Sequence, residues 1–291
     1  MKKSVFIILC AVMIIFMLPL FASADAGPKP SVVIDFKGFD GEPYFATLLA
    51  KTSSTGPYSA FDESGHAFTH YVQGDENFDI FLKFLNFKDT DGFYFLQYFN
   101  DCSETNTFKW TYYPPQEFKV LLYFPATDSF LMDDEVYERY AFDSYFTAVF
   151  SGNLNDLTAE KMTMSKSHSY MAEGFSFVVR VVFTIAVELG VALLFGLRQK
   201  NMFRFIVAVN VITQIVLNLA LNLINFYMGA FAFVFFYILL ELAVFGIEAV
   251  LYSVRLKKEA AKSRLVFYAF TANVTSFVFG MLLAYYLPGI F

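Results

Sequence analysis

Histidine is scarce in this chain, cysteine scarcer still, and tryptophan occurs once: there are 3, 2 and 1 of them in 291 residues. Each scarcity removes a class of chemistry. The three histidines, His66, His70 and His168, lie outside the four long apolar runs of the second half, and no aspartate falls inside those runs. Intramembrane proteolysis by a metal or by paired aspartates needs one of these side chains, and a Ser–His pair would have no histidine to use. The sequence also carries no glycine-rich phosphate loop, internal repeat or long low-complexity tract. With no nucleophile–base pair visible, no catalytic residue, metal or cofactor is assigned, and an enzyme ranks behind two other readings.

Basic residues are sparse in the first part. From Gly27 to Ala172 there are 21 acids against 10 bases, whereas from Glu173 onward 5 acids face 9 bases. An acidic N-terminal part excludes nucleic acid as a partner, because phosphate recognition needs basic surface. It suits cation attraction, or simply solubility.

What is abundant is apolar and aromatic: 57% hydrophobic and 20% aromatic residues, with a mean hydropathy of +0.49. Soluble domains are about 45–50% apolar, so the excess is expected in membrane-length runs. The start reads as a signal peptide over residues 1–24: Lys2 and Lys3, an apolar stretch Val5–Phe21, then Ala22-Ser23-Ala24, with cleavage after Ala24 or Ala26. Retention as an anchor is the alternative, since the apolar stretch is slightly long. A lipoprotein signal is excluded by the early position of Cys10 and by Leu9 before it. Cleavage would remove Cys10, leaving Cys102 as either a buried apolar thiol or a bridge to another chain.

Residues 174–197, 203–227, 230–253 and 265–287 are predominantly apolar and each longer than the ~20 residues that cross a hydrocarbon core. A four-helix transmembrane α-bundle at 174–291 is therefore expected, with a tight turn at Met228-Gly229. Arg198 and Lys200 lie between the first two runs, with Arg204 just beyond, and Arg255, Lys257, Lys258, Lys262 and Arg264 between the last two. The positive-inside rule puts loops 198–202 and 254–264 in the cytoplasm of a cell-membrane protein. The N-terminal domain and the C-terminal Pro288–Phe291 then lie outside.

The polar residues inside these runs form the candidate site: Arg180, Glu188, Asn210, Gln214, Asn218, Asn222, Glu241, Glu248 and Asn273. With Asn225, the amides of the second run fall within an arc of roughly 120° at about 100° per residue. Glu241 and Glu248, seven apart, share a face. Ionisable groups at that depth cost about 3 kcal/mol or more unless paired or hydrated. They are expected to face the bundle interior, the glutamates protonated or hydrogen-bonded to amides. Two readings stay open: a proton or cation site lined by carboxylates and amides, or interhelical hydrogen bonds that set bundle register.

Residues 27–152 read as a mainly antiparallel extracellular β-sandwich. Ser31–Phe36 and Tyr44–Leu49 flank Phe39-Asp40-Gly41 as a hairpin, Phe93–Tyr98 follows the turn Asp89-Thr90-Asp91-Gly92, and further strands are expected at Phe118–Phe124 and near Tyr140–Phe150. Asp89 and Asp91 could begin a calcium loop but lack the distal glutamate. His66 and His70, four apart beside Asp62 and Glu63, could hold zinc only on a helix, which Gly65 disfavours. Trp110, Tyr112 and Tyr113 are either core aromatics or a carbohydrate or partner surface. Asp133-Asp134-Glu135 reads as an acidic loop, and residues 153–173 as a polar stalk. The Asp-x-Asp-Gly turn, aromatic strand and proline turn resemble prealbumin-like and carboxypeptidase-regulatory sandwiches over about 70 residues.

The chain as a whole resembles a membrane-protein family of clostridia-like Gram-positive bacteria. The residues that carry the likeness are Pro30-Ser31-Val32-Val33, Thr47-Leu48-Leu49, Trp110–Pro115 and Tyr140–Phe146, then Glu188, Gly196-Leu197-Arg198, Asn210, Thr213-Gln214, Glu241 and Glu248. That family has no assigned activity, so the resemblance implies architecture alone. The expected function is an envelope binding, sensing or accessory protein in the lipid bilayer, with a membrane-protein partner or a homo-oligomer as possible assemblies. The alternative is an ion- or proton-coupled transport component using the intramembrane glutamates.

Overall fold

A computed structural model describes residues 27–39, 41–61, 71–152 and 162–286. The expected signal peptide, its cleavage site and Cys10, the His66–His70 pair with Asp62 and Glu63, and Pro288–Phe291 lie outside the described residues.

A mostly antiparallel β-sheet domain comes first. Strand β1 (Ser31–Lys37) alternates: Val32, Ile34 and Phe36 point into a core while Asp35 and Lys37 stay exposed. Strand β2 (Phe45–Ala50) is buried on both faces. A short ladder follows, β3 (Ser54–Thr55) with β4 (Tyr58–Ser59), then helix α1 (Phe78–Asn86). Strands β5 (Tyr94–Phe95), β6 (Asn100–Asp101), β7 (Thr107–Trp110), β8 (Glu117–Phe124), β9 (Ser129–Glu138), β10 (Asp143–Phe150) and β11 (Met162–Lys166) complete the domain. One sheet has the order β11-β10-β1-β7. The other runs β5-β2-β8-β9, with β6 also on β2. Their facing side chains share a core that includes Ile34, Leu48, Phe108, Trp110, Val120, Leu122 and Phe146. The second sheet's other face carries Phe45, Leu49, Leu121 and Tyr123 against Phe81 and Phe84 of α1. Strands β2 and β8 are thus covered on both sides, which is why they read as near-continuous apolar runs.

Three sequence expectations are corrected here. β1 and β2 do not form a hairpin: they lie in different sheets, β1 between β10 and β7, β2 against β8, β5 and β6. The β1–β10 pairing is parallel, with Ser31 opposite Asp143 and Lys37 opposite Val149. Asp133–Glu135 is not a loop but the middle of β9, where Asp133 is buried and accepts from the Tyr137 hydroxyl at 2.7 Å. Met162–Lys166, read as stalk, is a strand that extends the first sheet by pairing with β10.

Among the described residues three helices long and apolar enough to cross a membrane follow: α2 (Tyr170–Leu194), α3 (Lys200–Arg255) and α4 (Lys262–Tyr286). At 56 residues α3 is interrupted by Gly229, whose φ of 80° and ψ of 177° are not helical. Its two arms fold back on each other: Asn210 bonds Tyr252, Thr213 bonds Glu248, and Leu217 and Leu221 pack with Val244. At the other end, Gly196 (φ 67°) closes α2, and the Arg264 guanidinium of α4 caps the Phe195 carbonyl.

The β-domain sits on the turn of α3. The Phe142 amide donates to the Phe226 carbonyl at 2.8 Å, and the rings of Tyr140 and His168 pack on the Phe226 ring. His168 also reaches Glu173 of α2 at 2.8 Å.

Candidate functional site: a polar cavity and a buried carboxylate network

The nine candidate residues separate into two groups. Glu188, Asn210, Glu248 and Asn273 form a closed network. Both glutamates are fully buried. Glu248 accepts from the Thr213 hydroxyl at 2.7 Å and from the Asn273 amide at 2.8 Å, so one carboxyl group ties the two arms of α3 to α4. Glu188 of α2 accepts from the Ser276 hydroxyl at 3.3 Å. The Tyr252 hydroxyl donates to Asn210 at 2.5 Å, and the Tyr268 hydroxyl to the Glu188 carbonyl at 3.4 Å.

The second group lines a cavity of about 650 Å³ between the helices. It begins at Ser167 and His168 beneath the β-domain and ends at Gln214 and Glu241. Arg180, Asn218, Asn222 and Asn225 line it between those ends. The Arg180 guanidinium donates to Asn222 at 3.1 Å. No carboxylate among the described residues lies within ion-pair distance of it. Asn218 donates to the Gln214 carbonyl at 2.9 Å, and Tyr237 lies beside both Arg180 and Glu241.

Several members were missed at the level of sequence. Tyr237 and Tyr252 stand four residues from Glu241 and Glu248, on the same helix faces, and that spacing is a readable signal. Tyr268 has no such marker, and Glu173 and His168 enter only because the β-domain docks here.

The candidates in the β-domain resolve differently. Asp89 and Asp91 do not frame a vacant loop: the Lys119 amine lies 3.1 Å from Asp89 and 2.5 Å from Asp91, so an internal ammonium stands where a calcium ion was considered. Among the described residues no group of three or more His, Cys, Asp and Glu gathers for a metal. Trp110 is fully buried, its indole donating to the Tyr112 carbonyl at 3.0 Å, so it belongs to the core; Tyr113 is exposed. Cys102 is fully buried, which removes it as a bridge to another chain, and burial pushes its thiol up to about 12.

No family model, curated protein or solved structure matches this chain.

Proposed function

We propose that this is a multi-pass cell-membrane protein whose extracellular β-sandwich and four transmembrane spans enclose an outward-open binding cavity, making it an envelope binding or sensing protein. Each arm of α3 crosses the bilayer once in this reading. The observation that carries it is the cavity, which runs from the β-domain to Gln214 and Glu241 and is lined by polar groups at depths where lipid would reject them. Its volume falls in the range of about 300–1,000 Å³ that small-molecule sites occupy. The basic residues at 198–204 and 255–264 supply the orientation.

Cysteine labelling tests both topology and access. Cys102, fully buried with its thiol pushed up to about 12, contributes no background at neutral pH. A membrane-impermeant maleimide added to intact cells is expected to label Asn225→Cys at once and Lys257→Cys only after permeabilisation. Gln214→Cys lies about 16 Å deeper than Asn225 at 1.5 Å per residue. It should react with a small methanethiosulfonate from outside, more slowly. Labelling of Lys257→Cys in intact cells would overturn the topology, and an inert Gln214→Cys would overturn the cavity.

A second reading, ion- or proton-coupled transport, is favoured by one observation: Glu188 is fully buried, yet its second carboxylate oxygen has no partner. Under it, Glu188→Gln, Glu241→Gln and Glu248→Gln in liposomes abolish flux while the protein remains folded. Loss of those variants from the membrane would make the carboxylates structural instead.

A further inference from the structure

Buried polar atoms in folded proteins are almost always partnered, so clustered exceptions point to something that supplies the missing half. Four such exceptions belong to residues that line the same cavity: His168 Nδ1 at its mouth, then Arg180 Nε, Glu241 Oε2 and, deepest, Gln214 Nε2. Arg180 Nε is a donor and Glu241 Oε2 a carboxylate acceptor. A ligand that completes these two must offer an acceptor to Arg180 and a donor to Glu241.

The register of the α3 arms brings Arg180 and Glu241 close. Asn210 bonds Tyr252 and Thr213 bonds Glu248, so descending one arm is ascending the other. Continued along the arms, that pairing sets Glu241 opposite residue 220. Asn222, which holds Arg180 at 3.1 Å, is two residues away, about 3 Å along the axis. Tyr237 lines the cavity with both charged groups and is bonded to Glu241. The guanidinium and the carboxylate therefore sit within the span of one small molecule without pairing with each other.

From this geometry we infer that the cavity binds a zwitterion carrying a primary ammonium and an anionic group a few bonds apart. The anion lies on Arg180 Nε, and the ammonium lies on Glu241 Oε2 beside Tyr237. A simple anion would meet Glu241 unshielded, and a simple cation would meet Arg180. In a low-dielectric site either mismatch is costly. The same chemistry is found in free amino acids and in the ethanolamine headgroup of a phospholipid. The inference rests on the outward-open cavity proposed above and names what fills it.

The test uses the full-length protein in phosphatidylglycerol nanodiscs, with thermal unfolding followed against added probe. The soluble zwitterions are the standard L-amino acids and O-phosphoethanolamine. The single-charge controls are acetate, inorganic phosphate and ethylamine. A separate set of discs contains phosphatidylethanolamine. At least one zwitterion is expected to raise the unfolding temperature saturably while the controls do not. A response confined to the phosphatidylethanolamine discs identifies a lipid headgroup, and a response to soluble probes identifies a free solute. Arg180→Gln and Glu241→Gln should each weaken binding tenfold or more. If Arg180→Gln fails to assemble, Arg180→Lys, which keeps the charge but loses the Nε donor, should still weaken it several-fold. Binding of acetate or phosphate equal to that of the zwitterions, with Glu241→Gln unaffected, would overturn the inference in favour of a plain anion site. So would the absence of a shift with every zwitterion. If Gln214→Cys is meanwhile labelled from outside, the cavity stands and only the ligand class falls.

Discussion

Lys119→Ala is expected to destabilise the β-domain by about 3–5 kcal/mol, the range for removing one partner of a buried ion pair. Lys119 lies on β8, on the face shared with Leu121 and Tyr123, and neither it nor Asp89 has any exposed side-chain surface. One Asp89 oxygen accepts from the Lys119 amine, and the other accepts from the backbone amides of Asp91 and Phe93, at 3.2 and 3.0 Å. Truncating the lysine strands that carboxylate without its counter-charge. Trp110 reports the result without labelling, because it is the sole tryptophan and is fully buried in the β-domain core. Its emission should shift red at a lower urea concentration in the variant. Lys119→Met combined with Asp89→Asn should recover most of the loss, since no buried charge is left unpaired, Asp91 being exposed, and asparagine still accepts from the two amides. A Lys119→Ala variant within 1 kcal/mol of the parent would refute the assignment.

The same cluster sets an acid limit. The hydrogen bond and charge of Lys119 hold the Asp91 carboxyl below its ordinary value of 3.8. A carboxyl depressed in the folded state stabilises fully above its unfolded value, and that contribution is lost as pH falls through the folded one. Burial opposes charging of Lys119, but its bonds to Asp91 and Asp89 outweigh this and leave its amine raised above 10.5. Its contribution is therefore full below 10.5 and is lost only as pH rises through the higher folded value. The β-domain should weaken below about pH 4 in the parent and show a flatter acid limb in Lys119→Met with Asp89→Asn.

The membrane half was the more legible part of this sequence. A bilayer demands some 20 apolar residues at a stretch, and any polar side chain within such a stretch stands out. All nine candidate polar residues are therefore visible by inspection. Their division into a cavity group and a closed network is not, because it depends on how the arms of α3 are phased against each other and against α2 and α4. Sequence shows that Glu241 and Glu248 share a face, but not that Thr213 and Asn273 satisfy Glu248 while Glu241 keeps a bare oxygen.

The β-domain was legible as strands and not as partners. Alternation in Ser31–Phe36 identifies a strand and its inward face, yet its neighbours are β7 and β10, the latter more than 100 residues on. The glycine turn at Gly41 was read as a hairpin because hairpins are the commonest use of such a turn, whereas here the chain crosses between sheets. Helix α1 was missed because Phe78, Phe81, Phe84 and Leu85 sit in a region where aromatic density suggests strands. Their three- and four-residue spacing is the helical signal. Acidic residues in β9 concealed a strand for a different reason: Asp133 is kept by a specific bond from Tyr137, which composition does not reveal.

Gly229→Ala should be the most damaging small substitution in the helical half. At φ 80° and ψ 177° the backbone occupies a region open essentially to glycine alone, and forcing another residue there costs about 1–3 kcal/mol. A Cβ would in addition come within 2.5 Å of two ring carbons of Phe142. These two penalties have different cures. Phe142→Ala clears the ring but leaves the backbone strain, so the double variant Gly229→Ala with Phe142→Ala should be less destabilised than the sum of the two single changes. The remainder measures the backbone term. Strict additivity would mean that Phe142 does not rest on Gly229, and a Gly229→Ala variant as stable as the parent would mean that the turn is not built this way. The consequence reaches the cavity as well. His168 lines its mouth and packs its ring on Phe226, whose carbonyl receives the Phe142 amide. Pushing Phe142 off the turn loosens that contact, so Gly229→Ala should speed reagent access to Gln214→Cys, whereas Lys119→Met with Asp89→Asn, confined to the far side of the second sheet, should leave that rate unchanged.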